Sequence, residues 1–211
     1  MKHYTIAEIQ GWSRIYRANF VNSLSGFKPV SLIATTNKFG QNNLAIFSNI
    51  VHLGADPALI GFINRPREAA PHTIRNIEET GFYTINHIQS AFAEKAHQTS
   101  AKYAEVVSEF DAVGLTAEYK DGFDVPYVAE SHVQMALSLS EIIPLNNGTY
   151  LVVGALEHAY VNEQAVASDG FIELSKEGSI VSAGLDAYYS TTPLQRFSYA
   201  KTSQSLSQIS I

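Results

Sequence analysis

Short apolar segments separated by polar turns dominate the first half of the chain. Val30–Ala34 and Leu44–Ile46 flank the polar run Asn37–Gln41, which contains Gly40. Glycine and asparagine tolerate the positive φ angles of tight turns, so this pattern predicts a β-hairpin within Pro29–Asn49. Two paired strands are therefore expected early in the fold.

The same kind of pattern predicts further strands and helices downstream. Pro71 suits the first turn of a helix, where its missing N–H costs nothing, and Gly81 is a typical stop, which together predict a helix over Pro71–Thr80. A second helix, with Ser90 as its N-cap, is predicted to run to about Tyr103. The predicted strands are Leu59–Ile63, Phe82–Ile88, Ala112–Lys120, Val133–Leu139 and Thr149–Leu156.

The last two of these strands are predicted to form a long hairpin. Apolar residues occupy odd positions from Val133 to Leu139, and the parity changes at Ile142, which indicates a β-bulge near Ser140–Glu141. The Asn-Asn-Gly run at residues 146–148 is a strong turn signal. Because strands dominate and neighbouring strands are hairpin-linked, the expected fold class is mainly β with peripheral helices, an antiparallel barrel.

The composition is that of one globular domain covering residues 1–211. The chain is 45% apolar and 16% charged, and no linker or internal repeat interrupts it. Residues 1–25 and 184–211 are expected to be an N-terminal and a C-terminal extension of this domain. In the first of them, Trp12, Ile15 and Tyr16 could form one face of a short helix.

Charge and residue content disfavour several classes of function. The net charge is −6 and no basic cluster is visible, so nucleic acid is not an expected partner. The chain has no cysteine, which excludes disulfides, thiolate catalysis and iron–sulfur clusters. No apolar run is long enough to span a membrane and no signal peptide is evident, so a cytoplasmic protein is expected.

The common nucleotide-binding and hydrolase motifs are absent. The sequence has no G-x-G-x-x-G, no P-loop, no G-x-S-x-G and no H-E-x-x-H. The seven histidines are dispersed without a pair at i and i+4, so no metal site on a helix is expected. Nothing local supports a Ser–His–acid triad either.

Small hydroxyl and amide side chains cluster at both mouths of the predicted hairpin turn. Such groups can hydrogen-bond a polar planar ligand without crowding it, although they are also ordinary strand and turn residues. The side chains are those of Ser31, Thr35, Thr36, Asn42, Asn43 and Ser48.

A second polar patch lies in residues 64–76, NRPREAAPHTIRN, which contain three arginines. The predicted helix begins within this patch, and the free N–H groups around His72 and Thr73 would point outward. A helix N-terminus with a hydroxyl group and nearby guanidinium groups is suited to bind a phosphate. The alternative is a solvated basic loop with a capping threonine.

The hairpin as a whole resembles the flavin-binding segment of the flavin reductase-like family, the FMN-binding split barrels. The resemblance rests on Asn43, Ala45 and Ser48, which follow the glycine turn in the form Asn-x-Ala-x-x-Ser, and on the helix start at Thr73. The later hairpin and the segment 184–201 resemble the longer, flavoredoxin-like members. The implied fold is an antiparallel split β-barrel.

The resemblance also implies a set of flavin-binding residues. Thr35 would lie near the ribityl chain, and Arg65, His72 and Thr73 would hold the phosphate. The isoalloxazine ring would contact the end of the hairpin and the residues that follow it, namely Asn43, Ala45, Ile46, Phe47, Ser48, Asn49, His52 and Leu53.

Three points of this assignment stay open at the sequence level. The family often has a lysine where this chain has Pro71, so Arg65 or Arg67 would have to supply the positive charge. A buried structural histidine explains His52 equally well. The aromatic residues of the segment 184–201 would either seal the end of the barrel or reach the flavin pocket or a partner subunit.

For function, the resemblance implies an FMN-binding oxidoreductase. It would pass electrons from NAD(P)H through the bound flavin to free flavin or another small acceptor, with no side chain needed as acid or base. FMN is preferred to FAD because the sequence has a candidate phosphate site but no Rossmann unit for an adenosine half. The implied assembly is a homodimer with the flavin between subunits. The alternatives are a non-enzymatic, flavoredoxin-like electron carrier and a barrel-shaped interaction module without a cofactor.

Overall fold

The computed structural model describes residues 1–69 and 71–210, and most of its regular structure is β-strand. The α-helices of this part of the chain are α1 (Ile6–Gly11), α2 (Arg14–Leu24), α3 (Pro71–Thr80), α4 (Ala93–Gln98) and α5 (Glu109–Val113), with 3₁₀ turns at Ser90–Phe92 and Glu163–Ala165. The strands are β1 (Lys28–Pro29), β2 (Ser31–Thr36), β3 (Asn42–Phe47), β4 (Ile50–Ala55), β5 (Ala58–Asn64), β6 (Phe82–His87), β7 (Ala117–Glu118), β8 (Tyr127–Val128), β9 (Val133–Pro144), β10 (Tyr150–Val161), β11 (Ile180–Ala183), β12 (Ala187–Ser190), β13 (Arg196–Phe197) and β14 (Gln208–Ile209).

Seven antiparallel strands form the main sheet, in the order β3-β2-β6-β9-β10-β5-β4. Strands β3 and β4 are the two edges of this sheet, yet they are consecutive in the chain and only Ser48 and Asn49 separate them. Because three peptide steps span at most about 11 Å, the sheet must curl until its edges approach each other. The result is a barrel split between β3 and β4, which confirms the predicted fold class.

Several local predictions are confirmed by the strand pairing and the helix bounds. Strands β2 and β3 form the predicted hairpin, which closes at the Thr36–Asn42 pair. Helix α3 has the predicted bounds and is followed by Gly81, whose φ of 78° only glycine adopts freely. The register of β9 against β10 shifts at Ser140, where the bulge is predicted.

The helix predicted from Ser90 to Tyr103 is wrong. The chain forms a 3₁₀ turn followed by the short α4, which ends at Gln98. The hydroxyl group of Thr99 donates to the carbonyl of Ala96 at 2.8 Å. A side chain that bonds to the preceding turn in this way competes with continuation of the helix, so the residues after α4 are free to follow another path.

The strand predicted over Ala112–Lys120 is also wrong, because α5 and the two-residue β7 take its place. Gly114 has a φ of 68° and ends α5 in the left-handed conformation. Phe110 and Leu115 are buried in the same apolar cluster as Leu44 of β3. Tertiary packing therefore decides the structure of this segment, against its strand-like pattern.

Two apolar clusters hold the helices beside the β2–β3 hairpin. Strand β2 contributes to both clusters, since Leu32 and Ala34 belong to one and Ile33 to the other, as the alternation of side chains along a strand requires. The first cluster includes Phe110 of α5, and the second includes Ile74 of α3. The start of α3 and the start of α5 are thereby fixed close to β3.

Helices α1 and α2 lie outside these clusters and have no buried residue. Trp12 precedes α2 instead of lying in it, but its ring still contacts Tyr16 and Phe20 at centroid distances of 4.9 Å. Ile15 is 71% exposed. None of the helices in residues 1–69 and 71–210 has the length and apolar character needed to cross a membrane.

Candidate functional site

A cavity of about 410 Å³ opens beside the edge strand β3. Its walls are β3 with the Ser48–Asn49 link, the start of α3, most of the segment 97–103 at the end of α4 and beyond it, and the C-terminal segment around Leu185 and Tyr188. Small-molecule sites in proteins have volumes of about 300–1,000 Å³, so this cavity is the candidate site.

Nine of the twelve residues assigned from the resemblance line this cavity. They come from the end of β3 and its link to β4, from the residue after β5, and from the first turn of α3. They are Asn43, Ala45, Ile46, Phe47, Ser48, Asn49, Arg65, His72 and Thr73. The fold therefore brings the hairpin and the start of α3 to one surface.

Thr35 does not line the cavity but lies behind two residues that do. The side-chain amide of Asn43 donates to the hydroxyl groups of Thr35 and Thr73, at 3.3 and 3.2 Å. Asn76 of α3 donates to the same Thr35 hydroxyl group at 3.0 Å, and all four side chains are buried. Because the Thr73 oxygen accepts this bond from Asn43, its own hydrogen is left to donate into the cavity.

His52 and Leu53 lie on the second sheet edge, β4, and do not line the cavity either. Leu53 is 42% exposed. His52 is also exposed, so the alternative of a buried structural histidine is wrong. Neither residue lies at the site formed by the other nine.

Positive charge at the cavity comes from Arg65 and Lys102. Neither side chain has a hydrogen bond or an ion pair with the rest of residues 1–69 and 71–210, so both are available to a ligand. Arg67 is not a lining residue, because its guanidinium donates to Glu78 at 2.6 Å and lies 5.0 Å from the ring of Tyr150. Of the two arginines proposed for the phosphate, only Arg65 faces the cavity.

The edge of β3 presents backbone groups on the side of the cavity. The N–H of Leu44 points away from β2 and donates to Oε2 of Glu109 at 2.9 Å. Backbone groups alternate in direction along an antiparallel strand, so the N–H and C=O of Ile46 point the same way as those of Leu44. No strand of the described chain pairs with β3 on this side, which leaves the Ile46 groups open to a polar ligand.

Glu109, the first residue of α5, places a carboxylate in the cavity wall although it is only 6% exposed. Burial raises the pKa of this carboxyl group, while the backbone N–H groups of Leu44 and of Glu109 itself and the charge of His72 lower it. Phe110, the next residue, is 2% exposed and anchors α5 in the core. The hydrogen bond from Leu44 and the anchored start of α5 therefore hold the carboxylate in the wall.

The segment 97–103 and Glu109 form a part of the wall that was not predicted from the sequence, whereas Tyr188 belongs to the segment 184–201, for which contact with the pocket was one of the alternatives. Nδ1 of His97 lies 2.7 Å from the hydroxyl oxygen of Tyr188, which joins α4 to β12. The aromatic residues of the C-terminal segment differ in position, since Tyr188 lines the cavity whereas Tyr199 is 88% exposed. The run of hydroxyl and basic residues just after α4 is the signal that could reveal this wall, but the helix predicted there conceals it.

The chain belongs to the flavin reductase-like family. The model of the flavin reductase like domain matches residues 26–173, more than half of the chain. The match includes β3, the start of α3 and Glu109, and it confirms the resemblance found in the sequence. Proteins of this family bind flavin, and the family indicates oxidoreductase activity.

Solved structures with the same fold lead to more specific relatives. A proposed flavin reductase with a split barrel domain from Shewanella frigidimarina NCIMB 400 is 44% identical, with a TM-score of 0.91 over 95% of this chain and 100% of its own. Nitrilotriacetate monooxygenase component B from Bacillus cereus has a TM-score of 0.81 over 93% of this chain and 98% of its own, at 20% identity. Flavoredoxin of Desulfovibrio vulgaris (Miyazaki F) has a TM-score of 0.71 over 83% and 92%, at 22% identity. The last two show the shared fold.

Curated relatives match a shorter stretch of the chain. Uncharacterized proteins from Halalkalibacterium halodurans and Aquifex aeolicus are 29% and 27% identical over 120 residues, which are 56% of this chain. The match spans 57% and 61% of the lengths of those two proteins.

Proposed function

We propose that this protein is an FMN-binding oxidoreductase that passes electrons from NAD(P)H to free flavin or another small acceptor. The observation that carries the proposal is that two kinds of polar group line one cavity. An open backbone edge and a helix N-terminus line the same cavity, and so do Arg65 and Lys102, whose side chains have no partner in the described chain. These groups fit the polar ring edge and the phosphate of FMN, respectively.

The end of β3 fits the isoalloxazine ring. The N–H and C=O of Ile46 and the hydroxyl group of Ser48 are donors and acceptors of the kind that the polar edge of the ring needs. Val30, Ile63 and Leu185 line the same cavity and supply apolar contacts for the ring faces. Backbone donors fixed near the ring oxygens would stabilise negative charge on the ring.

The start of α3 fits the phosphate. The first N–H groups of a helix lack intrahelical partners and lie at the positive end of the helix dipole, so they favour an anion. The Thr73 hydroxyl group, with its hydrogen free to donate, and the guanidinium of Arg65 add charge-assisted hydrogen bonds. Lys102 lines the same cavity and would supply a second positive charge in place of the lysine that the family often has at Pro71. A single phosphate site of this kind favours FMN over FAD.

The chain's own residues would bind, orient and shield the cofactor. When bound, FMN would supply the redox chemistry by accepting electrons from NAD(P)H and releasing them to the acceptor. Glu109 lines the cavity beside β3, and the hydrogen-bonded Tyr188–His97 pair forms another part of its wall, so these residues would help to enclose the cofactor. The second candidate is a flavoredoxin-like electron carrier, which the shared fold with a flavoredoxin supports.

We also propose that the protein is a homodimer. Helices α1 and α2 have no buried residue, and Ile6, Ile15 and Leu24 on them are 68%, 71% and 66% exposed. Large apolar side chains that are exposed together on a protein surface commonly mark a protein–protein interface. In such a dimer, His52 and Leu53 on the exposed β4 would contact a flavin held between the two subunits. They make no such contact in one chain, because they do not line its cavity.

The phosphate assignment is tested by a double variant, Arg65→Ala with Thr73→Ala. Removing a charged and a hydroxyl contact should weaken FMN binding by roughly a hundredfold or more, because hydrogen bonds to charged groups contribute about 1.5–3 kcal/mol each. Riboflavin lacks the phosphate and should bind the variant as it binds the wild type. The matched control is Arg67→Ala, which removes an arginine of the same segment that faces Glu78. Unchanged FMN affinity in the double variant would contradict the assignment.

The redox assignment is tested on FMN-loaded protein without oxygen. Addition of NADH or NADPH should bleach the visible absorbance of the bound flavin, and an added electron acceptor should restore it. Loaded protein that neither nucleotide bleaches, but that dithionite does, would support the electron carrier instead.

A further inference from the structure

Glu109 lies in the cavity wall, but neither the residues proposed for the flavin ring nor those proposed for the phosphate include it. Its carboxylate lines the cavity at 6% exposure. Within residues 1–69 and 71–210 it receives hydrogen bonds only from the backbone N–H groups of Leu44 and of Glu109 itself. A carboxylate offers about four lone-pair sites, so part of its acceptor capacity is open to a ligand.

The order of the groups along β3 shows where Glu109 lies between the two ends of the cavity. Asn43 bonds to Thr73 at the phosphate end, and Leu44 bonds to Glu109. Ile46 presents its backbone groups at the ring end. Strand residues rise about 3.3 Å each, so the Glu109 contact is one residue from the phosphate end and about 7 Å from Ile46.

The chemistry of the carboxylate restricts what it can bind at this place. An ionised carboxylate only accepts hydrogen bonds, so its partner must be a donor. A phosphate dianion would be repelled, and in FMN the part between phosphate and ring is the ribityl chain, which has several hydroxyl groups. Burial leaves the charge poorly solvated, as the raised pKa indicates, so a hydroxyl donor would stabilise it.

We propose that Glu109 is a specificity residue that accepts hydrogen bonds from the ribityl hydroxyl groups of the flavin. The inference rests on the proposed function and adds to it a residue far in sequence from the β2–β3 hairpin. Because hydrogen bonds to an ionised acceptor are stronger than neutral ones, the site distinguishes flavins by their polyol chain as well as by their phosphate.

The test measures dissociation constants of three ligands for the full chain by flavin fluorescence. FMN has both the phosphate and the ribityl chain, riboflavin lacks the phosphate, and lumiflavin lacks both. The variant is Glu109→Gln, which keeps the side-chain volume and an acceptor oxygen for the Leu44 N–H. The matched control is Asp111→Asn, which makes the same change of charge at an exposed position of α5.

Glu109→Gln should weaken FMN and riboflavin roughly tenfold, while lumiflavin binding stays within about twofold of the wild type. Unchanged lumiflavin affinity also shows that the variant is folded at the ring end. Asp111→Asn should leave the three dissociation constants unchanged. The weaker binding to Glu109→Gln would then result from the place of Glu109 in the cavity wall and not from the change in net charge.

Other outcomes overturn the inference. Equal weakening of all three flavins would mean that Glu109 acts through the shape of β3. Tighter FMN binding with unchanged riboflavin binding would mean that the carboxylate faces the phosphate. If wild-type protein binds none of the flavins, the proposed function itself fails, whereas wild-type binding that Glu109→Gln leaves unchanged refutes this inference alone.

Discussion

Any side chain at Gly154, in the middle of β10, is predicted to collide with Tyr83 and to destabilise the protein. A Cβ atom at Gly154 would lie 2.2 Å from the hydroxyl oxygen of Tyr83, 2.9 Å from its Cζ and 3.1 Å from Cβ of Leu137. Tyr83 is 0% exposed and packs in a buried apolar cluster with Phe62 and Leu137, so its ring cannot move without displacing other core side chains. Gly154→Ala should therefore overpack the barrel and lower the free energy of unfolding by about 3 kcal/mol, the upper part of the usual range for such changes.

Tyr83→Phe provides the matched partner for this change. The Tyr83 hydroxyl group is buried and has no hydrogen-bond partner in the described chain, and burial raises its pKa. Removing an unpaired buried hydroxyl group should raise the free energy of unfolding by about 1 kcal/mol. It also removes the atom closest to the new methyl group, so the double variant should recover about 1–2 kcal/mol beyond additivity.

Equilibrium urea unfolding of the cofactor-free protein measures all four members of this double-mutant cycle under one set of conditions. A coupling energy near zero would refute the reasoning, because it would mean that Tyr83 and residue 154 are not in contact. A destabilised Tyr83→Phe variant would also count against it, since an unpaired buried hydroxyl group predicts the opposite sign.

Three further predictions concern the site, the pH dependence and the assembly. Ser48→Leu should exclude the ring by its bulk and leave the protein colourless after loading with FMN, whereas Ser48→Ala should retain most of the flavin; equal occupancy in the Leu variant would move the ring elsewhere. Burial lowers the pKa of His87 from 6.5 to about 4, so the unfolded state takes up the proton first as the pH falls. The contribution of His87 to the free energy of unfolding is fully present above pH 6.5 and falls by about 2–3 kcal/mol towards pH 4. His87→Gln should therefore reduce the pH dependence of the free energy of unfolding, measured with urea, in this range. An unchanged pH dependence would contradict the prediction. FMN that binds only the dimer should lower the dimer dissociation constant measured by analytical ultracentrifugation, and a monomer with full flavin affinity would rule out a shared site.

The hairpin and α3 could be predicted because their signals are local. Gly40 and Gly81 stand where the backbone needs a positive φ, and both adopt one, 81° and 78°. Pro71 and Gly81 mark the two ends of α3 without reference to the rest of the fold. The bulge at Ser140 follows from a change of parity within one strand. Each of these features depends on a few adjacent residues.

The far wall of the cavity could not be predicted because its residues meet only through tertiary packing. His97 and Tyr188 are 91 residues apart, and Glu109 reaches Leu44 across 65 residues. The apolar positions of the segment 110–115 fit a strand as well as a helix, and the packing of Phe110 and Leu115 in the cluster that includes Leu44 favours α5. The pattern of apolar and polar residues along the chain does not show which distant residues will be in contact.

The position of the cavity follows from how the barrel is split. An open sheet edge is unfavourable to leave exposed, because its unpaired backbone groups can pair with other chains. On β3 the Leu44 N–H is satisfied by Glu109, and α5 covers that part of the edge. The part around Ile46 stays open towards the cavity, next to the short link of Ser48 and Asn49 that allows the two edges to approach. A flavin with a hydrogen-bonding ring edge would complete the strand there, so the same contacts that orient the cofactor would also stabilise the folded barrel.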